Sequence, residues 1–451
     1  MKRFILEKSK RDVLTSHSGL ALVGLCLNRH SQLPARADEM LACQGIKSSD
    51  VVRSYVGLLC LGKNDYEAIG GHRGDSVFRT SLGIGSIPSA ETLRQRLDQM
   101  PAAFRGAVAD AATELIRRAG APVSPLANGH VALDCDVTPM DNSNTRKEGV
   151  SYTYKGHDGY TCMAGYLARE GWCMEMELRP GSQHAQNGFV PFLHRVVFRA
   201  QRLVGRDTRL LVRLDSAHDA AETLVELDSF EATDWIVKWN PRKQDLAAWW
   251  QRAQASGSVQ EHPKRPGKRT AIVEETLTVS HQGRSVPARR VVRVVERTID
   301  RKGQPLLLPE YELDGWWTNL DLAAPEVIGL YNDHGTSEQF HSELKTDLDV
   351  ERLPSGKFAT NALVLALAGL AYNILRLIGQ IGLLGEFSPV RHPAKRRRLK
   401  TVMQELMYVA ARLIHSGRRV RLRFATKCSG FEAFRRVYQH LLATATRPAP
   451  T

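Results

Sequence analysis

The sequence predicts an α/β protein built on a mixed sheet, preceded by a mainly helical N-terminal region and carrying a β-rich insertion. Three observations lead there. Residues 1 to about 125 have apolar positions at helical spacing. From His130, three strand-like runs come in succession and then alternate with helical segments, the order expected of a mixed sheet with helices on its faces. Between Asn240 and about Leu308 that alternation gives way to long β-like runs. The chain therefore divides into 1–125, a core in two parts (126–239 and 323–385), an insertion (240–322) and a basic, helical C-terminal region (386–451).

Within the first region, Ser89 is a helix N-cap followed by Glu91, with Leu93 and Leu97 at helical spacing. This helix carries Arg94 and Arg96, which suit a polyanion; a solvated face is the other reading. A linker at Gly120–Pro125 then closes the region. His130–Val137 reads as a strand, and Cys162–Ala168 with Trp172–Leu178 as a hairpin turning at Arg169-Glu170-Gly171. Helices at about 186–203 and 220–230 lead into strands at Arg209–Asp215 and Asp234–Lys238. On this plan Asp136 ends the first strand and Asp215 the fourth. Adjacent central strands would set both acids at the carboxyl edge of the sheet, where α/β sites lie. The runs 271–279, 286–295 and 311–320 read as strands of an insertion separate from that sheet, and Trp249-Trp250 as its core. The apolar stretch 362–384 is long enough for a membrane, but Asn373, Arg376 and Gln380 recur along it, and a buried core helix is expected. Two basic runs follow, at 395–400 and 418–423.

A length of 451 residues allows roughly two to four domains. The net charge of +14 and pI near 9.6 suit a polyanionic partner. The basic residues are spread through the chain instead of lying on one amphipathic helix beside lipid-facing Trp and Phe, which favours nucleic acid over a membrane surface. Seven cysteines, an odd number without a Cys-x-x-Cys pair, give neither a disulfide framework nor a structural zinc site. A reducing cytoplasm is expected, and the late apolar run Leu20–Leu27 does not read as a signal peptide.

The most informative stretch is Tyr331 to Lys345. At about 100° per residue, an α-helix would gather Tyr331, His334, Glu338 and Lys345 into a stripe roughly 60° wide. One acid, two groups able to hold phosphate and an aromatic would then share a face where Leu or Val is usual. Upstream, Leu133-Asp134-Cys135-Asp136-Val137-Thr138 and Leu211-Val212-Arg213-Leu214-Asp215 supply further acids. Three carboxylates from separate elements are a common means of holding two Mg²⁺ for phosphodiester chemistry. Asp134 and Asp136 share a strand face, so both are candidates. Glu343 lies roughly 140° round the helix from Glu338 and reads as solvated. Asp215 could instead cap the next helix. Ser216, His218 and Asp219 could suggest a hydrolase triad, but no Gly-x-Ser-x-Gly elbow accompanies them.

Tyr331, Glu338 and Lys345, with Asp136-x-Thr138 and Leu214-Asp215-Ser216, resemble the DDE transposases of bacterial insertion sequences, in the branch with a Tyr-Arg-Glu-Lys signature. Tyr154-Lys155-Gly156-His157-Asp158-Gly159-Tyr160 and Tyr331 to Gly335 look most like the insertion-sequence thirteen-eighty group. The resemblance covers about residues 128–377. His334 stands where the pattern has Arg, and a neutral imidazole lacks the fixed charge and fork of Arg. The resemblance implies an RNase H-like core and favours Asp136 over Asp134. It implies that Asp136, Asp215 and Glu338 are catalytic metal ligands for two Mg²⁺ per site (Mn²⁺ substituting), Asp136 being shared. Lys345 and His334 would hold phosphates, and Tyr331 would position a phosphate or stack on a base. Trp316-Trp317 would offer a surface for an extruded base, buried core being the alternative. The implied activity is cleavage of double-stranded DNA at terminal inverted repeats and joining to target DNA, by a homodimer or larger assembly in the bacterial cytoplasm, with no membrane. A Mg²⁺-dependent nuclease without strand transfer and an inactive DNA-binding regulator are the alternatives.

Overall fold

A computed structural model describes residues 3–9, 11–205, 207–256, 259–300, 302–417 and 419–445, leaving aside the side chains of 336 and 337. A three-residue strand, β1 (Val13–Thr15), opens the chain, and six helices follow: α1 (Leu20–Arg29), α2 (Leu33–Met40), α3 (Ser48–Cys60), α4 (Ser76–Leu82), α5 (Ala90–Gln99) and α6 (Phe104–Arg118). Local chemistry starts two of them. Asp75 accepts from the N–H groups of Val77 and Phe78 at the head of α4, and Ser89 from Thr92 N–H at the head of α5.

The main sheet begins with β2 (Val131–Asp141), β3 (Ser151–Tyr152), β4 (Asp158–Leu167) and β5 (Trp172–Pro180). Then α7 (Phe189–Val204), β6 (Leu210–Leu214), α8 (Ala221–Leu227) and β7 (Thr233–Trp239) alternate as expected. β2 pairs antiparallel with β4 and parallel with β6, which is parallel to β7. The acid-bearing strands are thus neighbours. Asp136, however, does not end its strand: past Cys135, β2 leaves β6 and continues to Asp141 against β4 alone.

After α9 (Leu246–Ala255) come β8 (Gln260–Glu261), β9 (Lys268–His281), β10 (Arg284–Ile299) and β11 (Pro305–Thr318). These do not stand apart. Gly315–Thr318 of β11 pair antiparallel with Ile236–Trp239 of β7, so the sheet runs β3-β4-β2-β6-β7-β11-β10-β9-β8, with β5 beside β4. The join depends on Gly315: a Cβ there would lie 2.4 Å from Trp239 Cε3. Trp249 and Trp250 are buried in α9, which packs on β9, β10 and β11.

Next come α10 (Ala324–Asn332), a 3₁₀ turn (Asp333–Thr336), α11 (Ser337–Ser342) and a π turn (Glu343–Asp347). α12 (Phe358–Gly382) has the length and apolarity of a membrane span, but its apolar window is fully buried, as a core helix. It packs against α3, α6 and β5. The C-terminal region is only partly helical. Between α13 (Leu399–Val402) and α14 (Phe431–Ala445), the strands β12 (Ala411–Ser416) and β13 (Arg419–Phe424) form a hairpin, with β1 on the outer edge of β12. Alternating apolar and basic residues favour a strand there over a helix. Arg418 lies outside the described residues.

Candidate active site

Parallel pairing of Cys135 with Leu214 sets Asp136 and Asp215 side by side, one residue beyond the last paired position. Both border an open cavity of about 670 Å³ that is also lined by His334, Glu338 and Lys345. Of the four members of the expected stripe, these last three reach the cavity and Tyr331 does not. The stripe is not one α-helix: its pitch tightens at 333–336 and widens at 343–347. Tyr331 sits half-buried against the Trp316 and His334 rings.

Contacts from other elements fix this irregular segment. Phe340 is buried against Tyr166 and under the Arg396 guanidinium, 4.5 Å from its ring. Gly171, in the β4–β5 turn at φ +73°, leaves room for that ring; a Cβ would come within 2.2 Å of it. Glu343 is not solvated but fully buried, ion-paired to Arg376, because the π turn directs it inward. Asp347 takes a fork of bonds from Arg398, and Gln339 accepts from Arg396 at 2.8 Å. Much of the basic run 395–400 is therefore spent holding this segment.

The two aspartates of β2 differ in their surroundings. Asp134 is buried and accepts from Arg213 Nε and Nη2 at 2.6 and 2.8 Å. His334 Nδ1 lies 3.1 Å from Asp134 Oδ1, in ion-pair range though off the axis of a good hydrogen bond. Burial alone would raise the Asp134 carboxyl, but Arg213 and His334 bring it down to about 2. Asp136 reaches the cavity, its Oδ1 accepting from Val137 N–H at 2.7 Å and its Oδ2 lying 3.3 Å from His341 Nε2. Burial would raise this carboxyl as well, yet His341, His334 and the Val137 amide hold it below the usual range. Asp215 is pushed the other way, up to about 6, by burial and then by the charge of Asp136. It also accepts from Ala217 N–H at 3.2 Å, so it caps a 3₁₀ turn while bordering the cavity.

Glu338 is exposed on the cavity wall. Lys345 is half-buried there, its ammonium making no hydrogen bond or ion pair among the described residues, and burial lowers its pKa. His334 is 8% exposed; burial opposes its charge, but Asp134 raises its pKa overall. Trp316 and Trp317 are 1% and 7% exposed, with Lys238 over the Trp316 ring and Trp317 Nε1 donating to Asp219. They are core residues and present no stacking face. On α5, Arg94 is exposed beside Glu91, whereas Arg96 is held by Cys43 and the Gln44 carbonyl. Neither lines the cavity. No hydrolase triad forms: His218 is buried on the Phe189 ring, neither ring nitrogen having a hydrogen-bond partner among the described residues.

Sequence reasoning gave no role to His341, Tyr154 or Lys155, all of which line the cavity. His341 stands three residues after Glu338 and, besides meeting Asp136, lies 3.4 Å from Tyr166 Oη. Helical spacing could have singled it out. Tyr154, whose hydroxyl donates to the Val137 carbonyl at 3.2 Å, lies in a turn whose reach no spacing reveals.

Carboxylates on neighbouring strands, opening on a cavity with an unpaired lysine, suit enzymes that act on phosphodiesters with divalent cations. The sequence matches the family Transposase DDE domain group 1 over residues 9–446, and the chain belongs to that family of DNA transposases. No curated protein matches it. Among solved structures, a similar chain is that of a cryo-EM structure of a piggyBac transposase synaptic complex with hairpin DNA. The two share 11% identity over 97% of this chain and 86% of that chain, with a TM-score of 0.41.

The family uses divalent metal ions. Among the described residues no three acids, histidines or cysteines already cluster as a closed metal cage. Mg²⁺ does not need one, since it keeps several waters and takes one or two carboxylates together with substrate phosphates. Burial first, and then the charge of Asp136, raises the Asp215 carboxyl, and a cation between the two acids would offset both effects. The donor set fits.

Proposed function

We propose that this transposase binds the terminal inverted repeats of an insertion sequence of the thirteen-eighty type, pairs two ends in a homodimer or larger assembly, and cleaves and joins DNA strands in the bacterial cytoplasm. Asp136, Asp215 and Glu338 are the residues that would hold two Mg²⁺ ions, Mn²⁺ substituting, on an RNase H-like core. The observation that carries this reading is the crowding of Asp136 and Asp215 on neighbouring parallel strands, no Lys or Arg among the described residues being ion-paired to Asp215.

The bound cations supply polarisation of the attacking oxygen and neutralisation of the leaving one. The chain's own side chains do the rest. His341 holds Asp136 in one orientation toward the cavity. Lys345 offers an unpaired ammonium to a DNA phosphate, fixing position through charge without reading sequence. His334, whose pKa Asp134 raises against the effect of burial, lies on the same wall, where its ring can meet a phosphate.

Incubating the purified chain with end-bearing duplex and Mg²⁺, and resolving products on a denaturing gel, tests the assignment. Asp136→Ala, Asp215→Ala and Glu338→Ala are each expected to abolish cleavage while end binding persists. Mg²⁺ is also expected to raise the melting temperature of the wild type by mass action, and not that of Asp136→Ala. Full cleavage by any one variant removes that residue from the ligand set.

A further inference from the structure

We propose that the C-terminal β-ribbon of β12 and β13 is a second DNA-binding surface, gripping duplex phosphates apart from the catalytic cavity. The choice of DNA as partner rests on the transposase reading; the surface itself rests on the ribbon. Directly opposed residues in an antiparallel pair share a face. The register Arg412↔Arg423, Ile414↔Arg421 and Ser416↔Arg419 therefore puts Arg412, Arg419, Arg421 and Arg423 on one side. Leu413, Val420, Leu422 and Phe424 lie on the other, bordering a cavity shared with α1 and α14, and Phe424 packs on Phe431 and Phe434. The ribbon is thus anchored by its apolar face and presents its basic one.

That basic side lacks the partners that arginines have elsewhere in this fold. On β9–β11, Arg289, Arg293 and Arg297 face Glu274, Asp314 and Glu312. The run 395–400 is likewise engaged, Arg396, Arg397 and Arg398 all being bonded to the core. From Ala411 to Lys427 the sequence has no acid. Arg412 pairs with Asp12 at 2.5 Å, and the acid that follows, Glu432, pairs with Arg435. Arg419, Arg421, Arg423 and Lys427 are exposed, and their side chains have no ion pair or hydrogen bond among the described residues. Arg423 is set directly opposite Arg412, and Asp12 pairs with Arg412 alone, so the charge of Arg423 is left uncompensated.

The chemistry of this face selects the polyanion. A membrane-binding surface needs apolar or aromatic residues to enter the interface, and single strands are held on aromatic platforms. Apart from half-buried Ile414, the exposed side of the ribbon has neither. A two-stranded ribbon fits the major groove of B-DNA. Residues 419 to 423 extend over about 13 Å, and each strand of B-DNA places one phosphate in about every 3.4 Å of helix axis. None of these residues lines the catalytic cavity.

The test is the salt dependence of duplex binding by the full-length chain carrying Arg419→Ala, Arg421→Ala and Arg423→Ala together, folding being checked by circular dichroism. Each lost phosphate contact lowers the slope of log affinity against log salt by about 0.9. The triple variant should lose about 2.7 in slope, so that its affinity falls roughly 40-fold less than that of the wild type between 50 and 200 mM salt. Lysine at all three positions should restore the slope. If the triple variant does not fold, Arg421→Gln alone should lower it by about 0.9. An unchanged slope, or a loss confined to anionic vesicles or single-stranded RNA, overturns the ribbon surface and leaves the transposase reading intact if the wild type still cleaves its ends. A wild type without duplex affinity overturns both.

Discussion

Asp134 and Asp136 stand two residues apart on one face of β2, yet only one is available to a ligand. Arg213 is registered directly opposite Asp134 on β6 and closes a buried fork on it, while its Nη1 donates to the Leu330 carbonyl at 2.7 Å. The pair ties the aspartate strands to the end of α10, from which the Glu338 segment departs. Two acids that compete in the sequence are therefore a cavity residue and the foundation beneath it. A single substitution exposes the difference. Arg213→Ala would leave Asp134 charged, buried and short of its main partner, at an expected cost of about 3–5 kcal/mol in denaturant unfolding. Asp134→Leu with Arg213→Met should recover most of it. The folded Asp134 carboxyl, at about 2, lies below its unfolded value near 4. Its stabilisation is therefore complete above about pH 4 and is lost as pH falls toward 2, so the deficit of Arg213→Ala should shrink over that window. A deficit under about 1 kcal/mol at neutral pH would remove the pair from its structural role.

The elements most legible in the sequence are those fixed by local chemistry. An apolar run and a partly alternating one, with a turn at 169–171 between them, give β4 and β5, and apolar runs ending in acids give β2 and β6. Elements set by distant partners were not legible. The change from 3₁₀ to α to π pitch depends on Phe340 meeting Gly171, Glu343 meeting Arg376 and Asp347 meeting Arg398, none of which spacing can show. The joining of the inserted strands to the sheet depends on one glycine. At Gly315 the β11 backbone passes the Trp239 ring so closely that any side chain must move it. Gly315→Ala is accordingly expected to destabilise by about 1–3 kcal/mol, as overpacking does, and to shift the tryptophan emission. An alanine variant as stable as the wild type, with unchanged emission, would show that the strands tolerate separation and that the join is loose.

The sequence divides naturally into an N-terminal helical region, a core with an insertion and a C-terminal region, yet packing runs through all of them. One hydrophobic cluster extends from Leu20 through the sheet to Leu441. α12 lies at its centre, touching α3 and α6 from the first region, β5 from the sheet, and α13 and α14 from the last. β1 pairs with β12, and Ser18 Oγ donates to the Val409 carbonyl at 2.7 Å, so the two ends of the chain also meet. A helix apolar around nearly its whole circumference can be covered only by several elements at once. Removing one of them uncovers apolar surface on the others, each buried Leu or Val being worth about 1.5–3 kcal/mol. The helical region should therefore open with the sheet and not before it. In native-state hydrogen exchange, amides of α3 and α6 are expected to share the opening free energy of those in β2 and β4. Residues 1–125 alone should show no cooperative melt. Exchange of α1–α6 as a separate, weaker unit would mean that the region is an independent domain resting on α12 and not a part of the core around it.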